Sequence, residues 1–144
     1  MNLIASLYEL FGWFDSDLGE HLQGWDGKDY SGLAQYLIFF VGCFILVVLV
    51  VLFFYKLFDN IRFNKRIHWL ITLVITLSIC FTWPFVKITN DLSTESVASD
   101  LSFNSSDALG FAVTNVILMM ILFVFSSIVF SRLSINNRFT PLKQ

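Results

Sequence analysis

Three long, uncharged apolar runs constrain the fold of this chain more than any other feature. They cover residues 33–55, 68–86 and 108–131. A helix needs about 20 apolar residues to cross a hydrocarbon core that is about 30 Å thick. Because a segment in lipid has to satisfy its own backbone hydrogen bonds, each run is expected to be helical. The sequence therefore predicts an all-α integral membrane protein with three transmembrane helices, and a re-entrant hairpin for the second run is the less favoured alternative.

Charged residues are scarce and are segregated along the chain. They make up 14% of the residues, and hydrophobic residues make up 56%. Seven of the nine Lys and Arg residues fall between the first two runs or after the third, whereas ten of the eleven acids fall elsewhere outside the runs. Basic residues accumulate on the cytoplasmic side of membrane proteins. This distribution predicts an N-terminus outside the cytoplasm and a C-terminus inside it.

The N-terminal residues 1–31 are predicted to form an extracytoplasmic amphipathic helix followed by a glycine-containing turn. Their apolar side chains recur at spacings of three and four residues, and they are Leu3, Leu7, Leu10, Phe11, Phe14 and Leu18. The polar face of this segment is acidic, so anionic lipid is not its expected attractor. It is expected to lie on the outer surface or to pack against the spans or sister subunits. Residues 32–131 then form the three-span domain, with an acidic outer loop at 87–107, and residues 132–144 form a basic cytoplasmic tail.

The interiors of the three runs contain no carboxylate, Lys or Arg. Proton pumps and many coupled transporters place ionisable side chains there, so their absence argues against such a transporter. It also argues against intramembrane hydrolases of the metal or aspartyl type. The two histidines lie far apart from each other, and no metal site with Cys or carboxylate ligands is readable from their spacing. We therefore expect no catalytic residue, no metal site and no cofactor.

A few polar side chains within the runs are candidates for function. Asn115 is the most informative, because an amide is costly in lipid and should face another helix or a water-filled lumen. Two alternatives remain open for it: an interhelical hydrogen bond that fixes packing, or a ring that lines a pore in an oligomer. The further pore-lining candidates are Thr114, Thr72 and Thr76, although Thr in a span most often bonds to its own helix.

Two clusters of charge flank the spans. On the cytoplasmic side, basic residues alternate with aromatic ones, a combination that suits phosphates and stacked bases; the candidates for an anionic ligand are Arg62, Lys65, Arg66 and Arg138. The alternative is that these charges only orient the chain. On the other side an acidic cluster could gather cations at an outer vestibule; its candidates are Asp15, Asp17, Glu20 and Asp26.

In this layout of compact spans, acidic outer face and basic cytoplasmic face, the chain resembles the small multi-pass membrane effectors of bacterial anti-phage defence. These include the channel effectors of nucleotide-signalled systems such as Hailong, to which the chain is similar in plan. The resemblance implies a homo-oligomeric channel of the bacterial inner membrane, gated from the cytoplasm by a nucleotide or a single-stranded oligonucleotide. The apolar surface left to pair predicts self-association, with a tetramer as the expected state. The alternative is a non-catalytic structural or assembly subunit of a larger membrane complex.

Overall fold

The computed structural model describes residues 3–25, 27–30, 34–56, 66–94 and 97–131. These residues form helices joined by turns and contain no β-strand. The helices are α1 (Leu3–Glu9), α2 (Ser16–Gln23), α3 (Gln35–Lys56), α4 (Arg66–Ser93) and α5 (Ser105–Ser131). The last three are long and apolar enough to cross a membrane. The predicted fold class is thus confirmed: the chain is an all-α, multi-pass membrane protein.

Helix α4 is longer than the apolar run from which it was predicted. It continues to Ser93 and has Pro84 in its interior, whereas the run ends at residue 86. The last turns of α4 are held by packing, because Ile88 is fully buried in the core that α2 also joins, and Asp91 is buried as well. The connection to α5 is therefore shorter than the predicted outer loop and begins at Thr94.

The N-terminal segment is two short helices and not one continuous amphipathic helix. Gly12 adopts a φ of +61°, a left-handed conformation that an α-helix cannot include. Asp15 then caps α2 by accepting a hydrogen bond from the backbone N–H of Asp17, and Gly24 ends the helix at a φ of +93°. The break lets α1 and α2 pack as separate elements.

The start of α5 is fixed by a reciprocal pair of side-chain hydrogen bonds. The Asn104 side chain accepts from the backbone N–H of Ser106 at 2.7 Å, and the Asp107 carboxylate accepts from the backbone N–H of Asn104 at 2.9 Å. Together these bonds satisfy N–H groups that the first turn of any helix leaves without a partner.

The helices pack around two connected apolar cores. One contains side chains from α1, α2 and the neighbouring ends of the long helices, among them Tyr8, Leu18 and Phe111. The other lies further along α3, α4 and α5 and includes Val47 and Phe123. Since two crossings separate α1 and α2 from the α4–α5 connection, all of these lie on one side of the membrane, which we call the N-terminal side. The ends of α3 and α4 at Lys56 and Arg66 lie on the opposite side.

Candidate functional site

Asn115 is the centre of a buried polar cluster that joins four helices. Its side chain is fully buried. The Oδ1 atom accepts a hydrogen bond from the Tyr8 hydroxyl at 2.6 Å, and Nδ2 donates to the backbone carbonyl of Cys80 at 2.7 Å and to the Cys43 thiol at 3.5 Å. These contacts agree with the first of the two alternatives for this residue, an interhelical hydrogen bond that fixes packing. A pore-lining role would require Asn115 to leave every one of these partners.

The carbonyl of Cys80 is available to Asn115 because of the residue four positions further along. In an α-helix this carbonyl would accept from the N–H of residue 84. That residue is Pro84, which has no N–H. Asn115 on α5 therefore supplies the hydrogen bond that the proline removes from α4. Such compensation by a neighbouring helix is what allows proline in the interior of a membrane span.

Tyr8 connects the N-terminal helix to this cluster. Its ring is fully buried, stacks on Phe111 with ring centroids 4.8 Å apart, and lies 5.4 Å from the ring of Tyr36. Burial raises the pKa of the Tyr8 hydroxyl above its ordinary value, because the charged phenolate would lose its hydration. The hydroxyl consequently keeps its proton and acts as the donor to Asn115.

The chain between α1 and α2 crosses α5 at a glycine. A Cβ atom built on Gly110 would lie 1.9 Å from the carbonyl oxygen of Trp13. Only a residue without a side chain permits this approach. Gly110 lies at the N-terminal side of Asn115 on the same helix, so the backbone crossing and the Tyr8 hydrogen bond fix the N-terminal segment at successive turns of α5.

The predicted threonine candidates bond to their own helices. The hydroxyls of Thr72 and Thr76 donate to the carbonyls of His68 and Thr72, each at 2.8 Å, and Thr114 donates to Gly110 at 2.9 Å. Thr76 and Thr114 are buried within the chain, and Thr72 is half-buried. The helix faces that carry these residues are thus directed mainly toward neighbouring helices of the same chain.

A different polar row faces outward from α4. Ser78, Thr82 and Asn90 are exposed within about a third of the helix circumference, with the exposed Val86 between Thr82 and Asn90. By contrast, the exposed side chains of α3 between Leu37 and Phe53, and those of α5 between Leu109 and Val129, are all apolar. This row is not among the residues predicted from the sequence. The spacing of Ser78 and Thr82 was visible in the sequence, but their exposure depends on which face of α4 the other helices cover.

The acidic candidates have structural roles on the N-terminal side. Besides the cap formed by Asp15, the Asp17 carboxylate accepts from the backbone N–H of Ser102 at 2.9 Å and from its hydroxyl at 3.2 Å. Asp17 thereby ties α2 to the α4–α5 connection. Glu20 is half-buried, and Asp26 lies outside the described residues.

A buried charge that the sequence analysis did not identify lies nearby. The carboxylate of Asp91 forms an ion pair with Lys87 one turn earlier in α4, and its other oxygen lies 3.5 Å from Nε2 of His21 on α2. The i, i+4 spacing of Lys87 and Asp91 was a readable signal, whereas the contact with His21 depends on the tertiary packing of α2.

The basic candidates are only partly covered by the structure. Arg66 is the first residue of α4. Arg62, Lys65 and Arg138 lie outside the described residues. Within the described ranges, no group of three or more His, Cys, Asp or Glu side chains is arranged to hold a metal ion.

A comparison with protein-family models, curated proteins and solved structures finds no match for this chain. Its function is therefore inferred from its own residues and their arrangement.

Proposed function

We propose that copies of this chain assemble around α4 to form a homo-oligomeric membrane channel. The observation that carries the proposal is the exposed polar row of Ser78, Thr82 and Asn90. The exposed side chains of α3 between Leu37 and Phe53, and those of α5 between Leu109 and Val129, are all apolar, so the polar row distinguishes α4 from these segments. A lumen shared by several copies would give the side chains of the row contact with water, and a tetramer remains the expected state.

The same face of α4 changes character along its length. Its half toward the N-terminal side carries the polar row together with exposed apolar side chains, Ile79, Trp83 and Val86. The described exposed side chains in its half toward Arg66 are all apolar and include Ile71 and Ile75. Rings of such side chains gate channels by excluding water from a narrow passage. In the proposed assembly, Ile71 and Ile75 form the constriction, and the polar row lines the wider part of the lumen.

Regulation by an anionic ligand is a further part of this proposal. Arg66 begins the helix that would line the lumen, and Ile71 follows little more than one turn later. A nucleotide or oligonucleotide bound by Arg62, Lys65, Arg66 and Arg138 would therefore act on the constriction directly. The proposed orientation puts this end of α4 in the cytoplasm of a bacterial cell, in keeping with the excess of basic residues there.

The competing function is a structural subunit in which the polar row contacts another chain without forming a lumen. The hydroxyls of Ser78 and Thr82 each bond to a carbonyl one turn earlier at 2.8 Å. A hydroxyl satisfied in this way is tolerated against lipid or protein. Access of water to the row therefore separates the two functions.

Cysteine accessibility measures that access. Ser78→Cys and Thr82→Cys are placed singly in a background with alanine at positions 43 and 80, and the protein is reconstituted in liposomes. The matched control is Phe125→Cys, because Phe125 is 64% exposed on the apolar face of α5. We expect a membrane-impermeant thiol reagent to modify positions 78 and 82 but not 125, and the modification to reduce ion flux.

Two results would contradict the proposal. Equal protection of positions 78, 82 and 125 would place the polar row out of contact with water, and an intact oligomer without ion flux would favour the structural subunit. The mass of the solubilised particle gives the number of copies.

The regulatory part of the proposal is tested by charge reversal. Arg66→Glu should abolish the effect of the anionic ligand on ion flux, whereas the control Lys56→Glu, at the neighbouring end of α3, should leave that effect in place.

A further inference from the structure

A large open cavity lies on the N-terminal side between α1, α2 and the beginning of α3. Its volume is about 1250 Å³. Three acids line it, Glu9, Asp15 and Glu20, and its described lining contains no lysine or arginine. Glu9 accepts a hydrogen bond from the Gln23 side chain at 3.2 Å, so its position within the cavity is fixed. The cavity therefore presents negative charge without a compensating cation among its lining residues.

One buried polar atom in this cavity has no partner. The hydroxyl of Tyr36 makes no hydrogen bond within the described residues, although Tyr36 is only 2% exposed. A buried hydroxyl without a partner is unfavourable, because it has given up its hydrogen bonds to water. Gly19 lies beside it without a side chain, and a Cβ atom built there would lie 3.3 Å from the Tyr36 hydroxyl and 3.8 Å from Glu9 Oε1. The hydroxyl and the carboxylate thus face the same small space.

We propose that this space binds a primary ammonium group. Such a group carries a positive charge and three N–H donors, which suit the Glu9 carboxylate and the Tyr36 hydroxyl oxygen together. The lining also includes the aromatic rings of Phe14 and Tyr30, whose faces attract cations. A divalent metal fits less well, since the described acids do not converge in a group of three.

The ammonium group has two chemical sources. The cavity lining extends to Leu37, which is 47% exposed on the outer surface of α3, a helix long and apolar enough to cross a membrane. A lipid with an ethanolamine headgroup could therefore insert its ammonium group from the membrane. A free amine could reach the same atoms from the aqueous phase. The binding chemistry is shared, and it does not depend on whether the assembly conducts ions.

Binding of 1,4-diaminobutane to the full-length protein in detergent tests the site by calorimetry. Tyr36→Phe removes only the hydroxyl, Glu9→Gln removes the charge, and Gly19→Ala fills the space with a methyl group. Each variant should bind about tenfold to hundredfold more weakly, the range for losing a hydrogen bond to a charged group. The matched control is Tyr55→Phe, because Tyr55 is equally buried at the other end of α3.

The identity of the ligand is tested by two comparisons. Ethanolamine and choline each carry one positive charge, but the choline nitrogen has no N–H donor, so choline should bind at least tenfold more weakly than ethanolamine, in proportion to the hydrogen bonds lost. When a lipid is the source of the ammonium group, phosphatidylethanolamine in nanodiscs should compete with the diamine, and phosphatidylcholine should not. Equal affinity for the diamine in nanodiscs of either lipid assigns the site to a free amine. The proposal fails when the wild-type protein shows no saturable binding of the diamine, or when choline binds as tightly as ethanolamine. It also fails when folded Tyr36→Phe and Glu9→Gln variants both retain the full affinity for the diamine.

Discussion

The bond from Asn115 to the Cys80 carbonyl gives a quantitative prediction about the stability of the helix bundle. Replacing Asn115 with leucine keeps the approximate volume but leaves two buried groups without partners, the Tyr8 hydroxyl and the Cys80 carbonyl. Each unsatisfied group costs about 1–3 kcal/mol. Hydrogen bonds between membrane helices average only about 0.6 kcal/mol and reach about 1.7 kcal/mol. We therefore expect Asn115→Leu to lower the free energy of unfolding by about 2–4 kcal/mol, a value between the cost of two unsatisfied groups and the loss of two average hydrogen bonds.

The part of this loss that comes from the carbonyl should depend on Pro84. In a Pro84→Ala background, residue 84 regains an N–H that can bond to the Cys80 carbonyl, so Asn115 is no longer its sole donor. The cost of Asn115→Leu should then fall by about 1 kcal/mol, which is a coupling energy typical of groups in one hydrogen-bond network. The cycle subtracts whatever Pro84→Ala does to α4 by itself.

The assay is unfolding of the reconstituted protein by sodium dodecyl sulfate in mixed micelles, followed by tryptophan fluorescence. Thr114→Val is the matched control, because Thr114 is also buried but donates to its own helix at Gly110. It should cost little and show no coupling to position 84. Equal losses from Asn115→Leu in the wild-type and Pro84→Ala backgrounds would refute the assignment of the amide as the substitute donor.

Two further predictions concern the N-terminal segment. Gly110→Ala should detach it from α5, because the added methyl group would overlap the Trp13 carbonyl oxygen, 1.9 Å from the ideal Cβ position, and protease cleavage between α1 and α2 should accelerate at least tenfold. The control is Gly12→Asn, at a positive φ with open space around it, which should leave cleavage nearly unchanged. A Gly110→Ala protein as well protected as the wild type would contradict the crossing. The raised pKa of Tyr8 gives a pH dependence with a definite sign: its contribution to stability is fully present below the ordinary tyrosine pKa of about 10 and declines above it, because only the unfolded state then ionises readily. Unfolding of wild-type and Tyr8→Phe proteins measured between pH 8 and about pH 11 should therefore show a steeper fall in the wild type than in the variant above about pH 10, and parallel curves would disprove it.

The three spans were predictable from the sequence, because a segment that crosses a membrane must have a minimum length and a high hydropathy, and both can be read from the residues. The sequence could not predict which face of each helix is buried, since the faces toward lipid and toward protein are both apolar. For this reason Thr76 and Thr114 were predicted to line a pore although they are buried within the chain, and the exposed Ser78 and Thr82 were overlooked.

Asn115 was recognised from the sequence as the key polar residue, but its partners were not. The position of Pro84, four residues after Cys80, shows that the Cys80 carbonyl lacks its usual donor. Which donor replaces it depends on how α4 and α5 align, and that alignment is a tertiary property. The break at Gly12 was missed for a related reason, because the apolar spacing on either side of it fits a single helix.

The hydrogen bond between Tyr8 and Asn115 has a consequence for the order in which the chain is made and inserted. It joins residues separated by 107 positions, and its acceptor lies on the last of the three long helices. During synthesis α1 emerges before α5, so Tyr8 can pack against Tyr36 on α3 but cannot complete this hydrogen bond until the last of the three long helices has entered the membrane. Until then the Tyr8 hydroxyl needs water or lipid as a temporary partner. Formation of this bond therefore follows insertion of all three long helices.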